Sequence, residues 1–176
     1  MTAGTKATEP RTLMFADDGV IPNNPALPLV VMAGALDLAG SAEPEKRIET
    51  IFRRNGWGNT WRNGIFPYVH YHSMIHEAMG IARGRAKVRC GGAGGSELDL
   101  NPGDVMVVPA GVGHQCLWAD PNFMVIGAYP PTGEYNLCRS SRADHAEALT
   151  TIPRVPLPDT DPVFGADGPL MRLWRG

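Results

Sequence analysis

The stretch of this chain richest in groups that can do chemistry is Tyr68-Val69-His70-Tyr71-His72-Ser73-Met74-Ile75-His76-Glu77, which holds three of its five histidines. Side chains of an extended segment alternate between faces, so His70 and His72 project to one side and can grip a single ion. Neutral imidazoles suit zinc, iron, nickel and copper, and a carboxylate adds manganese, so Glu77 makes a mixed nitrogen and oxygen donor set. A further donor must come from elsewhere. His114 fits, because the turn Pro109-Ala110-Gly111-Val112-Gly113 starts a new strand aimed back at the first. Taken singly, each histidine reads as well as an exposed or hydrogen-bonded strand residue. The spacing of the set is what points to a divalent metal, whether Fe, Mn, Ni or Zn.

The neighbours of these residues follow from the same alternation. His76 turns away from the ion if Glu77 faces it, and a bulge would exchange the two. Phe66 and Tyr68 share the face of His70, and Cys116 and Trp118 that of His114, which predicts an aromatic pocket with one thiol. Glu77, if it detaches from the metal, can act as a general base, and Tyr68 can donate a hydrogen bond to a bound substrate. These two are the candidate catalytic residues. Arg62, Lys87 and Arg89 are available to an anionic substrate at the pocket mouth, although such residues are more often solvated surface charges.

The elements that must position this set are short. From Trp57 to Tyr129, apolar runs are broken by turn signals at Asn63-Gly64, Arg83-Gly84, Gly91 to Gly95, Asn101-Pro102-Gly103 and Pro109 to Gly111, the punctuation of an antiparallel barrel or jelly roll. The Gly91 to Gly95 run lies between strands and reads as a hairpin turn, since a phosphate loop would lead into a helix N-terminus. One helix is predicted between Ser41 and Asn55, with Ser41 as a cap, Pro44 in the first turn, Ile48, Ile51 and Phe52 on one side, and Asn55-Gly56 as the stop. Leu29 to Met32 reads as a strand, placed at an edge by Pro28. Residues 1 to about 11 read as a mobile arm. The chain therefore divides, within one domain, into an arm, strand and helix over 1–59, a barrel over 60–130 and an ordered arm over 131–176.

In its 176 residues, 21 Gly and 16 Pro favour turns and short strands over long helices, so the fold class is mainly β. A net charge of −2 gives no basic footprint for nucleic acid or an anionic membrane. Without an apolar run of signal or membrane-spanning length, the expected location is the cytoplasm. Three widely spaced cysteines, Cys90, Cys116 and Cys138, read as free thiols. The apolar residues near the C-terminus and the Leu29 to Met32 strand suggest a homodimer.

Two blocks of spacing go further. Gly64, five residues, His70, one, His72, four, Glu77, six, Gly84 is the first; Gly103, five, Pro109, one, Gly111, two, His114 is the second. They resemble the paired motifs of the cupin superfamily over about residues 60–130. The run from Asp17-Asp18-Gly19 through Trp57 and Trp61-Arg62-Asn63-Gly64 to His76-Glu77 is similar to the YjlB-like group of bacterial cupins. The resemblance implies a double-stranded β-helix with His70, His72, Glu77 and His114 as ligands near the barrel axis. Trp118 stands where cupins often have Asn, which bears on pocket shape and not on the metal. Cupins include dioxygenases, isomerases, decarboxylases, storage proteins and sensors, so the fold leaves the activity open. The leading expectation is a metal-dependent dioxygenase or isomerase acting on a small polar or aromatic molecule. The alternative is a noncatalytic protein that uses the metal to hold a sugar or an organic acid.

Overall fold

The computed structural model describes residues 8–176. Of the arm expected at the start of the chain, residues 1–7 lie outside the described residues, and its end forms a short strand, β1 (Arg11–Leu13). In chain order come β2 (Leu29–Met32), α1 (Pro44–Arg54), β3 (Gly58–Asn63), β4 (Glu77–Arg83), β5 (Ala86–Cys90) and β6 (Ser96–Leu100). After them come β7 (Val105–Val108), β8 (His114–Ala119), β9 (Met124–Tyr129), α2 (Arg142–Thr151) and α3 (Pro169–Arg175). The strands form a six-stranded sheet, β1-β2-β7-β4-β9-β3, and a three-stranded sheet, β6-β5-β8, with all pairs antiparallel. The two sheets face each other as a jelly roll. Met79, Ile81 and Met106 of the larger sheet and Val88, Leu98 and Leu100 of the smaller one fill the space between them.

Alternation along β4 decides what faces where. Met79 and Ile81 point into the barrel, whereas Ala78 and Gly80 point outward beneath α1. Gly80 is there because a Cβ would press on Ile48 and Phe52 of that helix, at 2.8 and 3.0 Å. Burying Ile48 and Phe52 completely on this face stabilises the fold by about 1.5–3 kcal/mol each. Two arginine forks latch α1 to the sheet: Arg83 of β4 on Glu45, and Arg62 of β3 on Glu49. The helix begins at Pro44, with Glu43 in the cap position and no capping side chain, so Ser41 is not its cap.

Two expectations change. Pro28 does not put β2 at an edge, because β1 pairs along its open side. The stretch after residue 130 is not one extended arm but contains two helices, and α3 lays Leu170 and Trp174 against the outer face of the large sheet. Trp174 Nε1 donates to the Pro28 carbonyl at 2.9 Å. Asp161, fully buried, accepts from the backbone of Val163, Phe164 and Leu170 and so fixes the approach to α3. The apolar residues that suggested a dimer, Leu29 to Met32 and Trp174, are thereby used within the chain. No helix of the described residues is long and apolar enough to cross a membrane.

Candidate metal centre

Residues 66–71 run beside β8 without forming a regular strand. Cys116 N–H donates to the Phe66 carbonyl at 2.9 Å, and His70 and His114 exchange both backbone hydrogen bonds, at 3.1 and 2.9 Å. This pairing brings the two imidazoles to a centroid separation of 4.1 Å. One residue on, Tyr71 pairs with Cys138, and the His72 carbonyl accepts from Gly111 N–H at 2.7 Å. The turn before His114 and the chain beyond β9 thus clamp the histidine segment from both sides. His70, His72 and His114 are all buried, and one ligating atom from each lies within 4.8 Å of the others.

The tautomers follow from the partners. Nδ1 of His70 faces the Tyr68 carbonyl at 3.1 Å, that of His72 the Asn136 carbonyl at 2.5 Å, and that of His114 the Val112 carbonyl at 3.0 Å. A carbonyl only accepts, so each Nδ1 carries the proton and each neutral ring keeps its lone pair on Nε2. Burial, helped by the neighbouring His114, pushes the His70 pKa down to about 3, so this ring stays neutral. Burial also opposes charge on His72, but the facing Glu77 carboxylate outweighs it and raises the pKa.

Glu77 is the first residue of β4 and faces inward with Met79 and Ile81, on the side of His72 and His114. Its Oε2 lies 3.2 Å from His72 Nε2 and 3.5 Å from His114 Nε2. Neither Oε2 nor His114 Nε2 has a hydrogen bond of ordinary geometry, although both are buried. Burial would raise the Glu77 pKa, yet the His72 and His114 rings hold it far below the usual carboxylate range. Lone pairs facing a carboxylate in a dry site favour a cation, and the three imidazoles are grouped closely enough to hold a metal ion.

The other carboxylate oxygen is held by a chain of donors that the sequence had not singled out. Trp61 Nε1 donates to Tyr129 Oη at 2.9 Å, and Tyr129 Oη donates to Glu77 Oε1 at 3.0 Å. Indole N–H is only a donor, so the phenol must accept from Trp61 and pass its own proton to Glu77. Burial, then the Glu77 charge, raises the Tyr129 pKa well above its ordinary value and keeps the phenol protonated. Gly127 makes the arrangement possible, since a Cβ there would overlap the indole of Trp61.

The remaining candidates fall as follows. His76 points away from the cluster: its Nδ1 accepts from Ala110 N–H at 2.9 Å and its ring packs 4.7 Å from that of Trp174. Tyr68 stacks on Phe66 at 4.9 Å, lies edge-on to His70 at 5.8 Å, and carries the Arg139 guanidinium 3.6 Å above its ring. Trp118 does not face inward. Cys116 pairs with inward-facing Val88, but a bulge at Leu117 sets Trp118 opposite Lys87, and the indole is 54% exposed. Lys87 and Arg89 are paired with Asp99 and Glu97 on the β5–β6 hairpin. Arg62 does reach the site, where a cavity of about 460 Å³ opens over the histidines and Glu77, walled by Trp61, Phe66, Tyr129 and Tyr135. Tyr135, which like Tyr129 carries no motif in the sequence, sits 5.1 Å from the His72 ring.

No family model matches the chain. Over 166 residues it is 42% identical to the uncharacterized protein YjlB of Bacillus subtilis (strain 168), an alignment that covers 94% of this chain and 97% of that one. Among solved structures, a DUF861 family protein from Thermotoga maritima is 16% identical over 51% of this chain and 89% of its own, with a TM-score of 0.32. An acireductone dioxygenase from Bacillus anthracis, with a cadmium ion in its active centre, is 19% identical over 70% of this chain and 80% of its own, with a TM-score of 0.38. The paired glycine and histidine blocks, the jelly roll they fold into and the near full-length likeness to YjlB agree: the chain belongs to the YjlB-like family of cupins.

Proposed function

We propose that this protein is a metal-dependent enzyme acting on a small molecule, with a divalent ion held by His70, His72, His114 and Glu77. The observation that carries the reading is the locking of all three Nδ1–H groups onto backbone carbonyls, which leaves three buried Nε2 lone pairs, those of His72 and His114 beside the Glu77 carboxylate. Such outer partners fix a ligand's tautomer and orientation. When bound, the ion would supply Lewis-acid polarisation of a substrate oxygen or, if redox-active, the reactivity of a dioxygenase.

The chain's own residues do the rest. Tyr129 holds one Glu77 oxygen and leaves the other free, and if that oxygen is released from the ion it can take a proton from substrate. Tyr68, a candidate from the sequence, does not line the cavity: its ring lies between Phe66 and the Arg139 guanidinium, so it has no part in this reading. The aromatic walls and the prolines at 130 and 131 give the cavity an apolar lining over the histidines and Glu77.

Metal analysis of untagged protein tests the ligand set. One equivalent of divalent metal per chain is expected in wild type and almost none in His72→Ala or His114→Ala; wild-type stoichiometry in those variants would refute it. Oxygen uptake across a metabolite panel tests the chemistry. Substrate-dependent consumption lost in the variants supports a dioxygenase, whereas thermal shifts with ligands but no turnover would favour the binding protein.

A further inference from the structure

Resting on the metal reading, we propose that the cavity takes an aromatic small molecule with no more than one negative charge, its ring against Tyr135 and Phe66 and its polar edge on Asn59 and Asn63. Four aromatic side chains wall the cavity, and two at its opening are exposed: Tyr135 at 54% and Phe66 at 39%. The Tyr135 ring is already set edge-on to Tyr129 at 5.6 Å and tilted to His72 at 5.1 Å. A third ring entering between these walls meets edges and faces at the separations that aromatic pairs favour.

Charge narrows the class. Arg62 is the one cation among the lining residues, and Glu49 engages it through two hydrogen bonds, 2.7 and 3.2 Å long. The Arg139 guanidinium is laid on Tyr68 and does not line the cavity. A phosphate or dicarboxylate stripped of water would find no free fork to receive it.

Neutral polar recognition is available instead. Asn59 holds a φ of 49°, in the left-handed region, at the irregularity where the register of β3 against β9 shifts between Gly58 and Trp61. Asn59 and Asn63 both line the cavity, and Asn63 Oδ1 accepts from Gly64 N–H at 2.8 Å. Bulges re-aim side chains next to active sites, and strained backbone gathers where a group must be aimed.

The test separates ring recognition from metal binding. Benzohydroxamate and acetohydroxamate share one chelating group and differ in the ring, so zinc-loaded protein titrated with each reads the walls alone. The expected result is roughly tenfold tighter binding of benzohydroxamate, the equivalent of one aromatic contact. Tyr135→Ala should shrink that gap to under about threefold with zinc content unchanged, and Asn59→Gly, which keeps the left-handed φ without strain, should weaken both probes. Equal affinities, or tighter binding of oxalate or glucose 6-phosphate, overturn the proposal. If zinc does not load, the metal reading fails by itself, and ligand-observed NMR with benzamide against acetamide decides the ring preference without metal. Signal transfer to benzamide alone supports it; transfer to neither overturns it.

Discussion

Replacing Tyr129 with phenylalanine removes a single oxygen atom and tests whether Glu77 is held ready as a ligand. The hydroxyl joins Trp61 Nε1, 2.9 Å away, to Glu77 Oε1, 3.0 Å away, and all three side chains are buried or partly buried. In Tyr129→Phe the carboxylate loses a hydrogen bond of the charged kind, worth about 1.5–3 kcal/mol, and the indole N–H is left without its acceptor. Taking about 2 kcal/mol for the whole loss, thermal unfolding of metal-free protein should fall by roughly 4–8 °C in a chain of this size. Freed from Tyr129, Glu77 can rotate off the histidines, so zinc affinity should drop about 10–100-fold, the usual effect of removing an outer partner. Competition with a chromophoric chelator measures the affinity, and scanning fluorimetry the unfolding. Trp61→Phe should reproduce a smaller loss, and the double variant should cost less than the sum of the two, because both act on one chain of donors. A zinc affinity within about twofold of wild type alongside the full thermal loss would refute the reasoning and leave Tyr129 a structural residue.

Three other outcomes rest on the geometry. His76→Ala should retain one equivalent of metal while losing about 1–3 kcal/mol in denaturant unfolding, since it strands the Ala110 N–H; loss of metal would make His76 a ligand. Gly127→Ala should destabilise by about 1–3 kcal/mol and weaken zinc binding as well, because the displaced indole no longer reaches Tyr129; a stability loss with unchanged affinity would break that link. The Arg83 fork, opposed in part by burial, holds the Glu45 pKa below its ordinary value of 4.5, so the pair's contribution is present above that pH and is lost as pH falls through the folded value. With Arg83 almost half exposed the contribution is small, so wild type and Glu45→Gln should differ slightly at pH 7 and converge in urea melts as pH falls below the carboxylate range. A difference that grows on acidification would contradict the assignment.

How far the sequence was legible depends on how local each signal is. The spacing of His70, His72, Glu77 and His114 could be read because alternation over a few residues decides which way a side chain points, and Glu77 and His76 took the faces that alternation assigns. Trp118 defeated the same rule, since one extra residue at Leu117 reverses the face and nothing in the local sequence announces it. The helix α2 stayed hidden because its apolar residues form no stripe; its one signal is Ser141, whose hydroxyl accepts from Asp144 N–H at 3.1 Å. Tyr129 and Asn136 act through partners 52 and 64 residues away, and a tyrosine or asparagine at such a distance carries no mark of its role. β2 was misplaced because Pro28 is outside the ladder, while the strand that covers its edge comes from a stretch with no apolar pattern.

The clamp on the histidine segment also sets a timetable. His72 is given its tautomer by the carbonyl of Asn136, and Tyr71 is anchored by Cys138, so His72 is translated well before the residues that orient it and its neighbour. Long loops must thus close before the geometry of the histidine cluster exists. Selection of the correct ion therefore belongs to the folded barrel and not to the growing chain.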